Sequence, residues 1–290
     1  MEIAIASGKG GTGKTTLAIA LQEYFKISGY SVVLADCDVE APDAALFLKI
    51  KKTESSNVYM EIPELIDRQC IGCSGCADFC RFNAIAMVNK RPLIFKDLCH
   101  SCGGCLILCP ASALIAAENL IGLYEEGEAE GIYYTGGRLN TGQIQTTLLI
   151  DYVREKLRKR DEKIKIIDAP PGTSCPFVSA VKGCDHLLLV TEPTPFALSD
   201  LKISVEAARA MVLDFSVIIN KNDTEDSDNI VLKFCEDENI KITAVISYSE
   251  DLAYAYSTGS FNKLFQNRYR AELKNIAGYI KQKIIKKEGK

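Results

Sequence analysis

Between Glu2-Ile3-Ala4-Ile5-Ala6, which reads as a short buried strand, and a helical repeat of Leu17, Ala18, Leu21 and Phe25 stands Gly8-Lys9-Gly10-Gly11-Thr12-Gly13-Lys14-Thr15-Thr16. A strand, a glycine loop and a helix in this order leave the chain few folds to choose from. The spacing from Gly8 to Gly13-Lys14-Thr15 fits a phosphate-binding loop, whose glycines let successive backbone N–H groups turn inward around phosphate oxygens. Lys14 is expected to neutralise the outer phosphates and Thr15 to offer its hydroxyl to Mg²⁺. The helix predicted from about Thr15 to Lys26 would aim its positive end at the same anion.

A chain of 290 residues suggests about two domains and is long enough for a large core. No uninterrupted apolar run approaches a membrane span, and no charged-then-apolar leader precedes the first strand, so a cytoplasmic protein is expected. The net charge of −4 argues against a nucleic-acid footprint over the whole surface, and no nucleic-acid partner is expected.

Twelve cysteines are the compositional anomaly, and eight of them crowd between residues 70 and 109. Cys70-x2-Cys73-x2-Cys76-x3-Cys80 recurs 29 residues later as Cys99-x2-Cys102-x2-Cys105-x3-Cys109-Pro110. That is ligand spacing and not a disulfide scaffold. Each run matches the bacterial two-cluster ferredoxin pattern, in which three cysteines hold one 4Fe–4S cluster and the fourth crosses to the other. The match implies one cluster on Cys70, Cys73, Cys76 and Cys109, and a second on Cys99, Cys102, Cys105 and Cys80. Small residues such as Gly72, Ser74, Gly75, Gly103 and Gly104 let the chain wrap closely and aim N–H groups at sulfur. Arg81 stands where the second run has Pro110, a departure that removes no ligand. Zinc is the competing reading of paired Cys-x2-Cys motifs. His100 reads as a surface residue beside a ligand set that is already complete.

Along the rest of the chain, Ser31 to Ala35 reads as a second buried strand ending at Asp36-Cys37-Asp38, with the carboxylates at the edge where open α/β sheets bind ligands. Asp38 is expected to face Mg²⁺ or the attacking water; Asp36 reads equally well as a plain loop carboxylate. Lys51 to Asn57 reads as a polar linker into the cysteine block, Glu125 to Gly131 as a mobile loop, and Gly136 to Gly142 as a flexible stretch that is either a switch or a connection. A helix over Gln143 to Lys159 and a strand ending at Asp168-Ala169-Pro170-Pro171-Gly172-Thr173 follow. That strand tip resembles the second switch of phosphate-loop ATPases, where the aspartate senses Mg²⁺ through water and the glycine amide senses the γ-phosphate. His186 to Thr191, Phe215 to Asn220 and Ile242 to Ser247 complete about six strands with helices between them, a doubly wound, mostly parallel α/β sheet. Asn220 is the candidate for contacting adenine, while Asn222 and Asp223 either join it or cap a turn. The last helix, about Asn267 to Lys287, lines up Leu273, Ile276, Ala277, Ile280 and Ile284 and either packs on the sheet or touches a membrane. Cys37, Cys175, Cys184 and Cys235 are assigned no chemistry.

Lys9 narrows the family. Gly8-Lys9-Gly10-Gly11-Thr12-Gly13-Lys14-Thr15-Thr16, with Asp36-Cys37-Asp38 and Asp168-Ala169-Pro170-Pro171-Gly172, resembles the deviant Walker A ATPases of the MinD, Mrp and nitrogenase iron-protein group. The resemblance implies a phosphate-loop ATPase in two parts, residues 1–58 and 119–290, interrupted by a small ferredoxin-like α+β domain at 59–118. It further implies a homodimer formed on ATP binding, with Lys9 reaching the partner's nucleotide and Asp38 orienting water. Catalytic work would fall to Lys9, Lys14, Asp38 and Asp168, and the cofactors would be Mg²⁺ and two 4Fe–4S clusters. Three functions remain open: an ATP-gated electron carrier with a redox partner, a cluster-assembly or carrier ATPase with a client protein, and a MinD-like positioning switch with redox sensing.

Overall fold

The computed structural model describes residues 1–223 and 229–288, the side chains of 284–288 excepted. The chain opens with β1 (Glu2–Ala6), α1 (Lys14–Ile27), β2 (Val32–Asp36), α2 (Ala44–Leu48) and β3 (Lys51–Leu65). The cysteine-rich segment follows as α3 (Gly75–Phe79), β4 (Ile85–Val88), β5 (Arg91–Ile94) and α4 (Gly104–Leu108). The chain returns through β6 (Leu114–Ala129) and β7 (Ile132–Leu139), then α5 (Thr146–Arg158), β8 (Ile164–Asp168), α6 (Cys175–Val181), β9 (His186–Thr191) and α7 (Pro195–Ala210). It ends with β10 (Phe215–Asn222), α8 (Ile230–Asp237), β11 (Ile242–Ser247), α9 (Glu250–Ser257), α10 (Phe261–Arg268) and α11 (Arg270–Glu288).

One nine-stranded sheet, ordered β11-β10-β9-β1-β8-β2-β7-β6-β3, forms the body. From β11 to β7 all neighbours are parallel; β6 and β3 then add an antiparallel edge. Side chains alternate along each strand, so Ile3 and Ile5 enter one core while Ala4 and Ala6 enter the other. The first core is closed by Leu21 and Phe25 of α1, Phe261 and Phe265 of α10, and Leu273 and Ile276 of α11. The second takes Leu149 of α5, Phe177 of α6, Leu201 of α7 and Val231 of α8. Helices thus cover both faces, and β1 delivers its loop to the ligand-binding edge between β8 and β9.

The outer strands differ from the sequence reading. Lys51 to Asn57 is no linker: it is the first half of β3, paired with β6 from Lys51 opposite Glu128 onward. Glu125 to Gly131 is the end of β6 and the turn into β7, and Gly136 to Leu139 lies in β7, Gly136 pairing with Asp36 of β2. The glycines there reflect close packing: a Cβ on Gly137 would stand 2.9 Å from Leu149 Cγ and 3.0 Å from Val39 Cγ1. The positions expected to bound the insert, near 59 and 118, fall inside β3 and β6, so a two-stranded arm continuous with the main sheet carries the cysteine segment.

Within that segment the two cysteine runs adopt the same local structure. Short 3-10 turns at Asp67–Gln69 and Lys96–Leu98 precede them, and α3 and α4 follow at equal offsets. Left-handed residues also recur in pairs, Gly72 with Ser101, Ser74 with Gly103 and Asn83 with Ser112. The core between the runs is small, its buried apolar side chains being Ile85, Cys105 and Leu114.

At the other end of the chain, Leu273, Ile276, Ala277 and Ile280 of α11 are all buried against the sheet, which leaves that face unavailable to a membrane. The side chain of Ile284 lies outside the described residues. No described helix is long and apolar enough to cross a membrane.

Candidate functional site

A cleft of about 440 Å³ opens at the C-terminal edge of the sheet, within the range of small-molecule sites. Gly10, Gly11, Gly13, Lys14, Thr15 and Thr16 form one wall, and Asp38, Asp43, Pro171 and Asn220 another. Gly13 turns the loop into α1 with a left-handed backbone, φ 93°, which a side chain would strain. Gly8 lies back from the cleft against Asp200 of α7, and Thr12 is buried with its hydroxyl unpaired. Gly172 donates its N–H to the Ser7 carbonyl at 3.0 Å, tying the Pro-Pro-Gly turn to the start of the loop.

Lys9 does not enter this cleft. Its Nζ bonds Glu192 at 2.7 Å; Glu192 also takes Lys221 at 2.9 Å, and Lys221 donates to the Gly11 carbonyl at 2.6 Å. Burial pushes the Glu192 carboxyl up, but Lys9 and Lys221 hold it below the ordinary range.

Carboxylates crowd around Lys14 and Thr15. Asp168 is sealed from solvent, and beyond the nearby Thr15 hydroxyl its oxygens meet no hydrogen-bond donor. Burial pushes its pKa up to about 7, with Asp43 and Asp38 adding to the rise and the nearby Thr15 hydroxyl and Lys14 ammonium pulling the other way. Burial also raises Asp38 and Asp43, against the pull of Lys14 on each. Three carboxylates near one lysine, with Asp43 and Asp38 raising Asp168 and Asp43 raising Asp38, do not converge on a bare ion but suit a hard cation that keeps its water shell. Mg²⁺ brought by a nucleotide fits here, held through the Thr15 hydroxyl and the phosphates. Asp36 plays a different part: buried, it accepts the N–H groups of Asp38 at 3.1 Å and Ala44 at 3.2 Å and so shapes the loop between them.

Asn220 lines the cleft, but its Nδ2 donates to the Thr12 carbonyl at 2.7 Å and braces the phosphate loop. Ser247, Tyr248, Ser249, Leu252 and Tyr256 also line the cleft. Tyr256 donates to Asp43 Oδ2 at 3.2 Å across the mouth. Sequence reasoning missed Asp43 and this C-terminal wall, because an aspartate five residues past the Asp-x-Asp motif and two tyrosines, one before and one within a late helix, carry no motif of their own.

The eight clustered cysteines divide between two further cavities. Cys80, Cys99, Cys102 and Cys105 line one of about 180 Å³, walled by Ile62, Phe79, Phe82 and Leu106. Cys70, Cys73, Cys76 and Cys109 line a narrower one of about 20 Å³ with Leu65, Ile71 and Met87. Each cavity therefore takes three cysteines from one run and the fourth from the other. Backbone N–H groups already point at two sulfurs, Ser101 at Cys99 (3.4 Å) and Ala113 at Cys109 (3.2 Å). Burial raises the Cys99 and Cys105 thiols, Cys105 to about 11; Cys109 is held low by amides of Ala113, Ala111, Leu114 and Ser112, despite some burial acting against them. Among the described residues no three His, Cys, Asp or Glu side chains converge closely enough to hold a single metal ion. All-thiolate sets lining apolar cavities, with amides aimed at sulfur, fit an iron–sulfur group in donor chemistry. His100 is exposed and stacks on Phe82 at 3.8 Å between centroids.

Comparison with known proteins places these sites in context. The CobQ/CobB/MinD/ParA nucleotide binding domain matches residues 3–262. An uncharacterized protein of Methanocaldococcus jannaschii is 33% identical over 222 residues, 76% of this chain and 78% of that one. An iron-sulfur cluster carrier protein of Pyrococcus abyssi is 24% identical over 75% of this chain and 60% of its own length. Among solved structures, the septum site-determining protein MinD with Mg-ADP from Pyrococcus horikoshii superposes with a TM-score of 0.57 at 19% identity, covering 94% of this chain and 93% of that one.

Proposed function

Because the chain belongs to the CobQ/CobB/MinD/ParA nucleotide-binding domain family, we propose that it is an ATPase whose nucleotide-driven dimerisation is coupled to electron transfer through two 4Fe–4S clusters in its cysteine-rich insert. The observation that carries the reading is the division of the eight cysteines into two sets, each borrowing one member from the other run, on an arm continuous with the nucleotide-binding sheet. The small core of the insert supports it as well, since Ile85, Cys105 and Leu114 are its buried members and the other side chains packed on them are only partly covered, which gives so short a segment little cohesion without bound metal.

In this reading the amides of Gly10 to Lys14 cradle the phosphates and Lys14 neutralises the outer ones. Asp38 orients the attacking water, while Asp168 holds the water shell of Mg²⁺, which when bound supplies charge neutralisation at the transferred phosphoryl group. Lys9 leaves Glu192 and reaches the nucleotide of a second copy. Cys70, Cys73, Cys76 and Cys109 hold one cluster and Cys80, Cys99, Cys102 and Cys105 the other; when bound, the clusters supply one-electron carriers.

The test is anaerobic purification followed by iron analysis and EPR of the reduced protein with and without MgATP. About eight iron atoms per chain and two 4Fe–4S signals, at least one altered by MgATP, are expected. Two zinc ions per chain, or signals indifferent to nucleotide, would overturn the proposal.

The name of the Pyrococcus abyssi relative favours a second reading, cluster carriage to a client protein. It predicts that labelled iron passes from this protein to an apo-acceptor. Electron transfer with tightly held clusters predicts that it stays.

A further inference from the structure

The two cysteine sets are not equivalent in their surroundings. Cys99 is buried in the large core shared with Leu149 and Val153 of α5, and Cys80 packs against the same core. Cys105 belongs to the small core of the insert, which Cys80 also touches, so this set bridges the two cores, whereas Cys76 and Cys109 pack only against the small one. One set is thus built onto the ATPase body and the other stands away from it.

A short segment connects the first set to the nucleotide cleft. Val39, the residue after Asp38, accepts the N–H of Leu139 at 2.8 Å, where β7 ends. The next residues turn tightly: Asn140 donates its N–H to Ile121 at 2.9 Å and accepts that of Gln143 at 3.0 Å, with Gly142 left-handed. Gln143 then reaches Asp97 Oδ1 at 3.3 Å, and the buried Gln145 donates its amide to the Cys99 carbonyl at 2.6 Å. Gln145 occupies the N-cap position of α5 yet makes no capping bond with its side chain. Seven residues, at most about 25 Å even if fully extended, therefore run from the neighbour of Asp38 to the backbone of a cysteine in the body-side set. Close packing leaves little slack at the cleft end, where Val39 and Leu149 pinch Gly137.

We infer that residues 139–145 couple the nucleotide cleft to the Cys80, Cys99, Cys102 and Cys105 set, with Gln145 as the positioning residue, and that the outer set does not respond to nucleotide. The inference rests on the two-cluster reading for its redox consequence but not for its structural one. When a nucleotide with Mg²⁺ moves Asp38, the shift passes through the Val39–Leu139 bond into the turn and reaches the Cys99 carbonyl through Gln145. Coupling of this kind is reciprocal: whatever factor nucleotide applies to the reduction of that set, reduction applies to nucleotide affinity.

Two measurements on the full-length protein test it. Hydrogen–deuterium exchange with and without a non-hydrolysable ATP analogue and Mg²⁺ should change at residues 96–102 by about fivefold or more, the lower end of ordinary coupling, and not at 70–76. In the cluster-loaded protein, a potentiometric EPR titration should show one midpoint moving with nucleotide by about 40 mV, which is fivefold at 59 mV per decade, and the other fixed. Gln145→Met, which keeps the shape and removes the donor, should lose both responses while retaining iron content and the nucleotide affinity of the oxidised protein; Ile203→Ala, exposed on α7 and outside the segment, should keep them. An exchange response at 70–76 instead, or at neither segment while the analogue binds, overturns the inference even in the wild-type chain. So does a Gln145→Met protein that responds like wild type. Failure to load iron, by contrast, counts against the cluster reading and leaves the exchange result to decide this one.

Discussion

Asp168 is the residue at which burial and charge conflict most directly. Its carboxyl is sealed from water, faces Asp43 and Asp38, and has a pKa pushed up to about 7 by burial first and those neighbours second. A carboxyl whose pKa is raised on folding binds a proton more tightly in the folded chain than in the unfolded one. Its contribution to stability is therefore full below the unfolded value near 4 and is lost as pH rises towards 7. For the nucleotide-free, Mg²⁺-free protein, Asp168→Asn should be more stable than wild type by about 1 kcal/mol or more at pH 8, since each tenfold change in proton affinity on folding is worth about 1.4 kcal/mol. The gain should vanish by about pH 3, below the unfolded value near 4. Denaturant melts at the two pH values check this; a gain at both would point to relief of packing and not of charge. The same variant should lose Mg²⁺-dependent nucleotide binding, so stability and function move in opposite directions at this position.

At the level of elements, β7 shows why some of the architecture escaped sequence reading. Gly137 stands where Leu149 of α5 and Val39 leave no room for a side chain. Gly137→Val should cost about 1–3 kcal/mol by overpacking, measured by chemical denaturation. Gly142→Ala, in open space but at φ 86°, should cost about 1 kcal/mol for left-handed backbone. The inner parallel strands were legible because burial on both faces demands unbroken apolar runs, as in Leu187-Leu188-Leu189-Val190 of β9. Lys51 to Asn57 of β3 is exposed and polar, and its strand conformation comes from its partner β6 and not from its own residues. In the site, the shared cleft of the glycine loop and Asp38 and the grouping of the cysteine runs could be read because motif spacing brings these residues together. Asp43, Tyr256 and Gln145 could not: Asp43 carries no motif of its own, and Tyr256 and Gln145 are brought to their places by packing between elements distant in the chain.

Across the whole molecule, the position of Lys9 bears on how two copies would meet. Lys9 is tied to Glu192 of its own chain, and Glu192 also secures Lys221 on the phosphate loop. The Lys9 side chain is 35% exposed, so the pair is worth at most about 1 kcal/mol. Breaking it costs little against the free energy of closing two subunits around a pair of nucleotides. Transferring Lys9 to a partner's phosphates exchanges a carboxylate that keeps Lys221 as counter-charge for a more highly charged, desolvated anion, where a charge-assisted hydrogen bond is stronger. Lys9→Ala should therefore bind MgATP as a monomer, with affinity within about a few-fold of wild type, since losing so weak a surface pair changes little within one chain. It should fail to dimerise with ATP and hydrolyse it at least about a hundredfold more slowly, in line with the loss of a charge that in the proposed cycle would meet the transferred phosphoryl group. Its cluster absorbance should be unchanged, because Lys9 lines neither cysteine cavity. Analytical ultracentrifugation with ATP, paired with phosphate release, checks both effects. A Lys9→Ala protein that dimerises and turns over normally would mean that the Lys9–Glu192 pair is a surface contact with no part in the ATP cycle.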